Sequence, residues 1–378
     1  MIPAISSAFD SGAIEVVTSD NAGTTADFLL RIRKDTHAEF RQWFHFRLSD
    51  ARGLACTMRF ENAGACTYPK GWTDYRAVAS YDRTRWFRVP TRYDGAVMTV
   101  EHTPGRDAVW YAYFEPYSHE RHQALIGRAG DSSLARTERL GASVEGRDMD
   151  LVTVGTGNGV GKTIWIIARQ HPGETMAEWF VEGMVERLID RADPFSRRLL
   201  ERALFHVVPN MNPDGSVLGN LRTNAAGANL NREWMSPSME TSPEVSLVRE
   251  RMQRTGVDAF IDVHGDEGLP YVFVAGGEML PGFTPEQAGV QSGFIANFKR
   301  ASPEFQDVHG YSAGKYHQDA LKLASKWVGH TFGCLSLTLE MPFKDNANLP
   351  DPEVGWNGER SRKLGAAVLE PLLASLEA

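Results

Sequence analysis

The sequence predicts two domains of different class. An all-β antiparallel sandwich covers residues 1–127, and an α/β domain with a mixed, mostly parallel sheet and helices on both faces covers 148–378. Three observations carry that expectation. At 378 residues the chain is longer than one ordinary core. Short runs of strand period, broken by turn formers, fill its first third. From about residue 148, apolar strand-like runs alternate with helical periodicity.

In the first third, Phe28 to Arg33 reads as a strand. In Trp43 to Leu48, Phe44, Phe46 and Leu48 share one face while His45 and Arg47 take the other. Cys56–Phe60 and Val97–Val100 repeat the pattern, and Val109 to Phe114, apolar on both faces, reads as a central strand. Asn62-Ala-Gly64, Pro69-Lys-Gly71, Asp94-Gly95 and Pro104-Gly105 supply the turns. Five histidines here (His37, His45, His102, His119, His122) show no repeated ligand spacing and are expected to be structural or solvated. Residues 128–147 are polar and Gly-rich, and are expected as a boundary region.

In the second domain, strands are expected at Leu151–Val154, Thr163–Ala168, Phe205–Val208, Ala259–Val263 and Leu335–Leu339. The turn-forming run 157–161 precedes the second of these. Ala177, Val181, Met184 and Leu188 recur at helical spacing, so a helix begins just past Glu174. Further helices are expected at 243–254 behind Thr241-Ser242 and Pro243, at 285–300, at 318–328 and at 358–376. Apolar strands separated by helices argue for a sheet covered on both faces.

Composition excludes several roles. Net charge is −8 without a dense Lys/Arg run, which argues against nucleic acid as partner. Three cysteines (Cys56, Cys66, Cys334) in no paired spacing fit a reducing compartment. The N-terminus lacks the look of a secretory signal and no apolar run is long enough to span a membrane, so a cytoplasmic protein is expected.

The chemistry-bearing residues fall at the ends of the predicted strands. His171-x-x-Glu174 follows the strand at 163–168, His264 follows Ala259–Val263, and Glu340 follows Leu335–Leu339. After Phe205–Val208 come Asn212-Pro-Asp-Gly215, Arg222, and Asn231-Arg232. Each alone reads as a turn, a cap or a strand-end polar group, but chance poorly explains all of them along one sheet edge. Two imidazoles and a carboxylate leave one tetrahedral position open on a zinc ion, the pattern of catalytic rather than structural zinc. Glu340 suits the general acid/base, Arg222 an oxyanion, and the Asn231-Arg232 pair a carboxylate. A zinc hydrolase that also grips a free carboxylate is an exopeptidase working at the C-terminus.

This set resembles the motifs of the M14 zinc carboxypeptidases, and within them the cytosolic carboxypeptidase (Nna1-like) branch in a short bacterial-type version. Phe9 to Glu15, Trp43 to Arg47 and Tyr113 to Ser118 look like the β-sandwich domain that sets this branch apart. The resemblance implies one zinc held by His171, Glu174 and His264, with Glu340 as general acid/base. It implies Arg222 as the oxyanion arginine, and Asn231 and Arg232 as holders of a peptide's or protein's terminal carboxylate. It further implies a glutamate-rich C-terminus, or the isopeptide bond of a polyglutamate side chain, as substrate, with Lys315, Lys322 and Lys326 near the specificity region. Two positions depart from the pattern. Asn229 stands where digestive members have the Asp that orients a zinc-bound histidine, so that bond is either neutral or made elsewhere. The substrate-capping tyrosine has two candidates, Tyr316 and Tyr311. The rival readings are a zinc deacylase or amidase on N-acyl amino acids or cell-wall peptides, and a non-catalytic peptide-binding protein.

Overall fold

The computed structural model describes residues 3–155, 161–278, 280, 282–312 and 317–377. The run 157–160, Lys315 and Tyr316 lie outside the described residues. The amino-terminal third folds as two five-stranded sheets. One runs Ala4–Ser6, His45–Ser49, Ala108–Ala112, Val78–Ser80, Phe87–Arg88, all antiparallel, with the apolar Ala108–Ala112 strand in the centre as its composition predicts. The other runs Glu15–Asn21, Thr25–Arg31, Ala55–Phe60, Met98–His102, Thr91–Tyr93. It departs from the antiparallel expectation at one pair, because Thr25–Arg31 and Ala55–Phe60 run parallel. The chain between them crosses to the first sheet to form His45–Ser49, so it re-enters in the same direction. Phe28, Phe44, Phe46, Phe60, Trp72, Tyr111 and Tyr113 fill the space between the sheets.

The remaining chain builds a mixed sheet of seven strands. Its middle four, Ala203–Val208, Lys162–Ala168, Ala259–Asp266 and Leu335–Pro342, are parallel. Ala135–Ala142 and Asp148–Val154 extend it antiparallel on one side, and Phe273–Ala275 on the other. Lys162–Ala168 is buried apart from its first residues, as a strand covered on both faces must be. Helix Met176–Leu188 follows it and packs closely on Gly358–Ala367. The described helices include none long and apolar enough to cross a membrane.

Three local expectations change. The polar run 128–147 holds the end of helix His119–Asp131 and then the edge strand Ala135–Ala142, whose alternating polar residues suit a half-exposed edge. That helix was hidden by its low hydrophobicity, though Ser118 caps it by accepting a bond from the Arg121 amide. The helix expected at 318–328 is a 3₁₀ turn His317–Lys322 and a helix Ala324–Phe332, parted by an extended Leu323. The last helix breaks at Val368 into Gly358–Ala367 and Leu369–Glu377, because Pro371 has no N–H and its ring crowds the Ala367 carbonyl.

The two halves meet over a polar seam. Arg88, 7 % exposed, donates from the first half to the carbonyls of Phe343 (2.9 Å), Trp356 (3.0 Å) and Val354 (3.1 Å). Tyr113 stacks on Phe343 at 4.4 Å, three residues beyond Glu340.

Candidate active site

The strand Lys162–Ala168 ends in a sharp turn. Arg169 sits in the left-handed region at φ 59°, a costly conformation for a non-glycine. Its own side chain holds the turn: the guanidinium donates to Glu178 (2.6 Å), the Tyr117 carbonyl (2.9 Å) and the Pro172 carbonyl (3.0 Å). Glu178 also meets His122 Nδ1 at 2.6 Å, and Asp150 takes the other ring nitrogen, Nε2, at 3.0 Å. Burial favours neutral His122, but these two carboxylates outweigh it and hold its pKa up at about 9. His122 is thus one of the structural histidines expected.

Beyond that turn, Glu174 reaches both histidines. Its two oxygens lie 2.7 Å from His171 Nδ1 and 2.7 Å from His264 Nδ1, and the Gly265 amide donates to it at 3.0 Å. One ligand atom from each of the three residues lies within 4.8 Å of the others, all buried. Burial opposes charge here, yet the two imidazoles hold the Glu174 carboxyl below the usual range. Burial and the Arg222 charge push His171 down to about 3, while Asp262 and Glu174 overcome burial and raise His264. Two imidazoles and one carboxylate aimed at a common point are the donor set that zinc takes in open catalytic sites, so the residues fit the ion. The outer ring nitrogens are fixed too. Asn229 Oδ1 lies 3.1 Å from His171 Nε2, which makes that bond neutral, and the charged partner goes to the other ring: Asp262 Oδ2 lies 2.8 Å from His264 Nε2.

Glu340 pairs in register with His264 on the adjacent parallel strand. Only 6 % exposed, its carboxyl is pushed up to about 8 by burial, with Glu174 and Asp266 adding to it against His264 and Tyr311. Tyr311 Oη lies 2.9 Å from Glu340 Oε1 and 2.7 Å from Asp266 Oδ2. Glu340 Oε2 has no hydrogen-bond partner among the described residues.

All seven residues expected from the sequence line one cleft of about 760 Å³: His171, Glu174, Arg222, Asn231, Arg232, His264 and Glu340. Asn231 Oδ1 accepts from the Ala324 amide at 2.9 Å, which turns its NH₂ inward, 3.2 Å from His264 Nε2. Arg232 Nη1 donates to the Asn231 carbonyl at 2.7 Å. Of the lysines, Lys326 lines the cleft and bonds the Gly276 carbonyl, whereas Lys322 is half exposed and paired with Asp319. Sequence reasoning missed three contributors. Asp262 was legible, since strand alternation puts it on the same face as His264. Glu267, buried in the cleft wall, and the segment Thr67–Gly71 of the amino-terminal half carried no signal.

Both halves of the chain are similar to known proteins. Residues 5–114 match the family model described as cytosolic carboxypeptidase N-terminal domain, and residues 127–354 that described as zinc carboxypeptidase. A metallo-carboxypeptidase structure from Burkholderia cenocepacia is 60 % identical, with 99 % of each chain covered and a TM-score of 0.97. A metallo-carboxypeptidase from Pseudomonas aeruginosa, solved with (2-guanidinoethylmercapto)succinic acid, is 46 % identical over 98 % of each chain, TM-score 0.93. Human cytosolic carboxypeptidase 6 is 27 % identical; the match covers 84 % of this chain and 68 % of the human protein. A match to the second family model over more than half of the chain, with near full-length likeness to two metallo-carboxypeptidases, decides the identity: the chain belongs to the M14 zinc carboxypeptidases, hydrolases of peptide bonds, and carries the cytosolic-type N-terminal domain.

Proposed function

We propose that this chain removes the C-terminal residue of peptides or proteins, with His171, Glu174 and His264 holding one zinc ion and a preference for an acidic terminal residue. Bound there, zinc supplies a Lewis acid that polarises the scissile carbonyl and makes a water molecule acidic near neutral pH. The protein's own groups do the rest. Arg232 and the inward NH₂ of Asn231 grip the terminal carboxylate, a guanidinium offering two parallel bonds to it. Arg222 faces the oxygen that becomes negative as the carbonyl turns tetrahedral. Glu340 takes the proton from the attacking water and hands it to the departing amine, which a carboxyl with a raised pKa does well near neutrality. Lys326, with the Ser325 and Thr338 hydroxyls beside it, is the cation that would read an acidic side chain.

The observation that carries this reading is that Glu340 and the three donor residues line the same cleft, with Arg232 in its wall. That the Pseudomonas aeruginosa relative was solved with a succinic acid derivative supports carboxylate recognition. Free Cys56, Cys66 and Cys334, and the cytosolic naming of the eukaryotic relatives, support action in a reducing compartment. The test is zinc analysis coupled to a panel of peptides differing in the last residue, run with and without a chelator. Glu and Asp should be released fastest, and chelation should abolish release. Glu340→Gln should keep its zinc and lose at least ~10²-fold in turnover. An unchanged rate in that variant would remove Glu340 from the mechanism, and faster release of Lys, Arg or aromatic residues would end the acidic preference.

A further inference from the structure

The segment that carries Arg222 has no helix or strand of its own, so its backbone amides need partners from elsewhere. They find one in the other half of the molecule. The Asp35 carboxylate accepts from the amides of Leu221 (2.6 Å), Arg222 (2.7 Å) and Thr223 (3.0 Å), and from the Thr223 hydroxyl (3.1 Å). Asp35 is 6 % exposed, and four donors nearly saturate its two oxygens. Its neighbour Thr36 donates through amide and hydroxyl to Asn220 Oδ1 at 3.1 and 3.2 Å, and Asn220 in turn donates to the Thr223 carbonyl at 3.0 Å. The side-chain end is gripped by the same domain. The Arg222 guanidinium lies over the rings of Phe40 (5.9 Å) and Tyr68 (5.5 Å), and the Phe40 carbonyl accepts from the Asp35 amide at 2.8 Å.

We infer that Asp35, from the amino-terminal sandwich, is a positioning residue for Arg222, so that this domain completes the active site rather than only covering it. The inference rests on the reading of Arg222 as the group facing the oxyanion. A flexible arginine could reach that oxygen in many poses. One whose backbone is bound at three successive amides and whose cation lies over two rings has its reorganisation done before substrate arrives.

A double-mutant cycle tests this on the full chain. Asp35→Asn keeps the shape but replaces one acceptor oxygen by an NH₂ that cannot accept. Kinetics and zinc content are measured for the wild type, Asp35→Asn, Arg222→Ala and the double variant. Arg222→Ala should lower kcat by about 10²–10³-fold. Asp35→Asn should lower kcat about tenfold, with KM and zinc content unchanged, and should add nothing in the Arg222→Ala background. If Asp35→Asn does not fold, Tyr68→Leu runs the same cycle on the side-chain end. Equal effects of the first substitution in both backgrounds, a lower melting temperature with unchanged kcat, or loss of zinc would each overturn the role of Asp35. An unchanged kcat in Arg222→Ala would instead overturn the reading of Arg222 and the inference with it.

Discussion

The Tyr311 hydroxyl stands between two carboxylates, at 2.9 Å from Glu340 and 2.7 Å from Asp266, and a phenol has one proton to give. Its bond favours the ionised form of Glu340, against burial and the negative neighbours Glu174 and Asp266. Removing it raises the Glu340 pKa. A base works when ionised, so kcat/KM rises with pH through that pKa, and the rising limb should move to higher pH in Tyr311→Phe. A net hydrogen bond of about 1 kcal/mol corresponds to a shift approaching one pH unit. A bound zinc ion would lower the Glu340 pKa in both proteins alike, so the difference between the two profiles carries the test; superimposable profiles would show that Tyr311 does not act on Glu340. The sequence offered Tyr316 with Tyr311 as its competitor; Tyr316 lies outside the described residues, and distance along a loop does not tell that the Tyr311 hydroxyl folds against a strand end. The orienting carboxylate was similarly half legible. The change to Asn229 was visible, but that Asp262 serves the other histidine follows from how His264 turns its ring.

Among elements, helix Met176–Leu188 matters most, because its first turn begins two residues past Glu174. It touches Gly358–Ala367 backbone to backbone. A Cβ on Gly365 would lie 1.9 Å from the Phe180 carbonyl oxygen, and one on Gly183 would lie 2.1 Å from that of Arg362. Neither neighbour is the end of a flexible side chain, so Gly365→Ala must push the two helices apart. Overpacking of this kind costs about 1–3 kcal/mol. The variant should melt several degrees lower and bind zinc more weakly, read by calorimetry and by competition with a chelator. Unchanged melting and unchanged zinc affinity together would mean that the pair adapts without moving Glu174. Helical spacing announced the first helix through Ala177, Val181, Met184 and Leu188, all buried. It also ran through Leu364, Val368 and Leu372 as though one helix held them, and only the effect of Pro371 on the preceding turn divides them. Helix His119–Asp131 was missed for the opposite reason: it buries only His122, Leu125 and Ala129, too narrow a stripe to stand out.

At the scale of the molecule, the two-domain plan and the gathering of the candidate site residues in one cleft were readable because both rest on period and on clustered motifs. The seam between the halves was not, since Asp35 and Arg88 are isolated polar residues whose partners lie far along the chain. Burial of such groups has a further consequence for the whole fold. Glu244, fully buried in the first turn of helix Pro243–Thr255, is pushed up to about 7, chiefly by burial and with the Asp214 charge adding to it, against bonds from its own amide, the Val144 amide and Asn224 (3.2 and 3.4 Å). In the unfolded chain the same carboxyl titrates at about 4.5, so the folded protein holds a proton that the unfolded one releases. A raised carboxyl pKa stabilises fully below the unfolded value, and that contribution is lost as pH rises through the folded value. A shift of this size is worth roughly 3 kcal/mol. Glu244→Gln carries no such proton. In urea titrations the stability of the wild type relative to the variant should fall by roughly that amount between pH 4.5 and a pH well above 7. A difference that stays constant across that window would mean Glu244 is ionised in the folded protein, with a cation or water reaching it there.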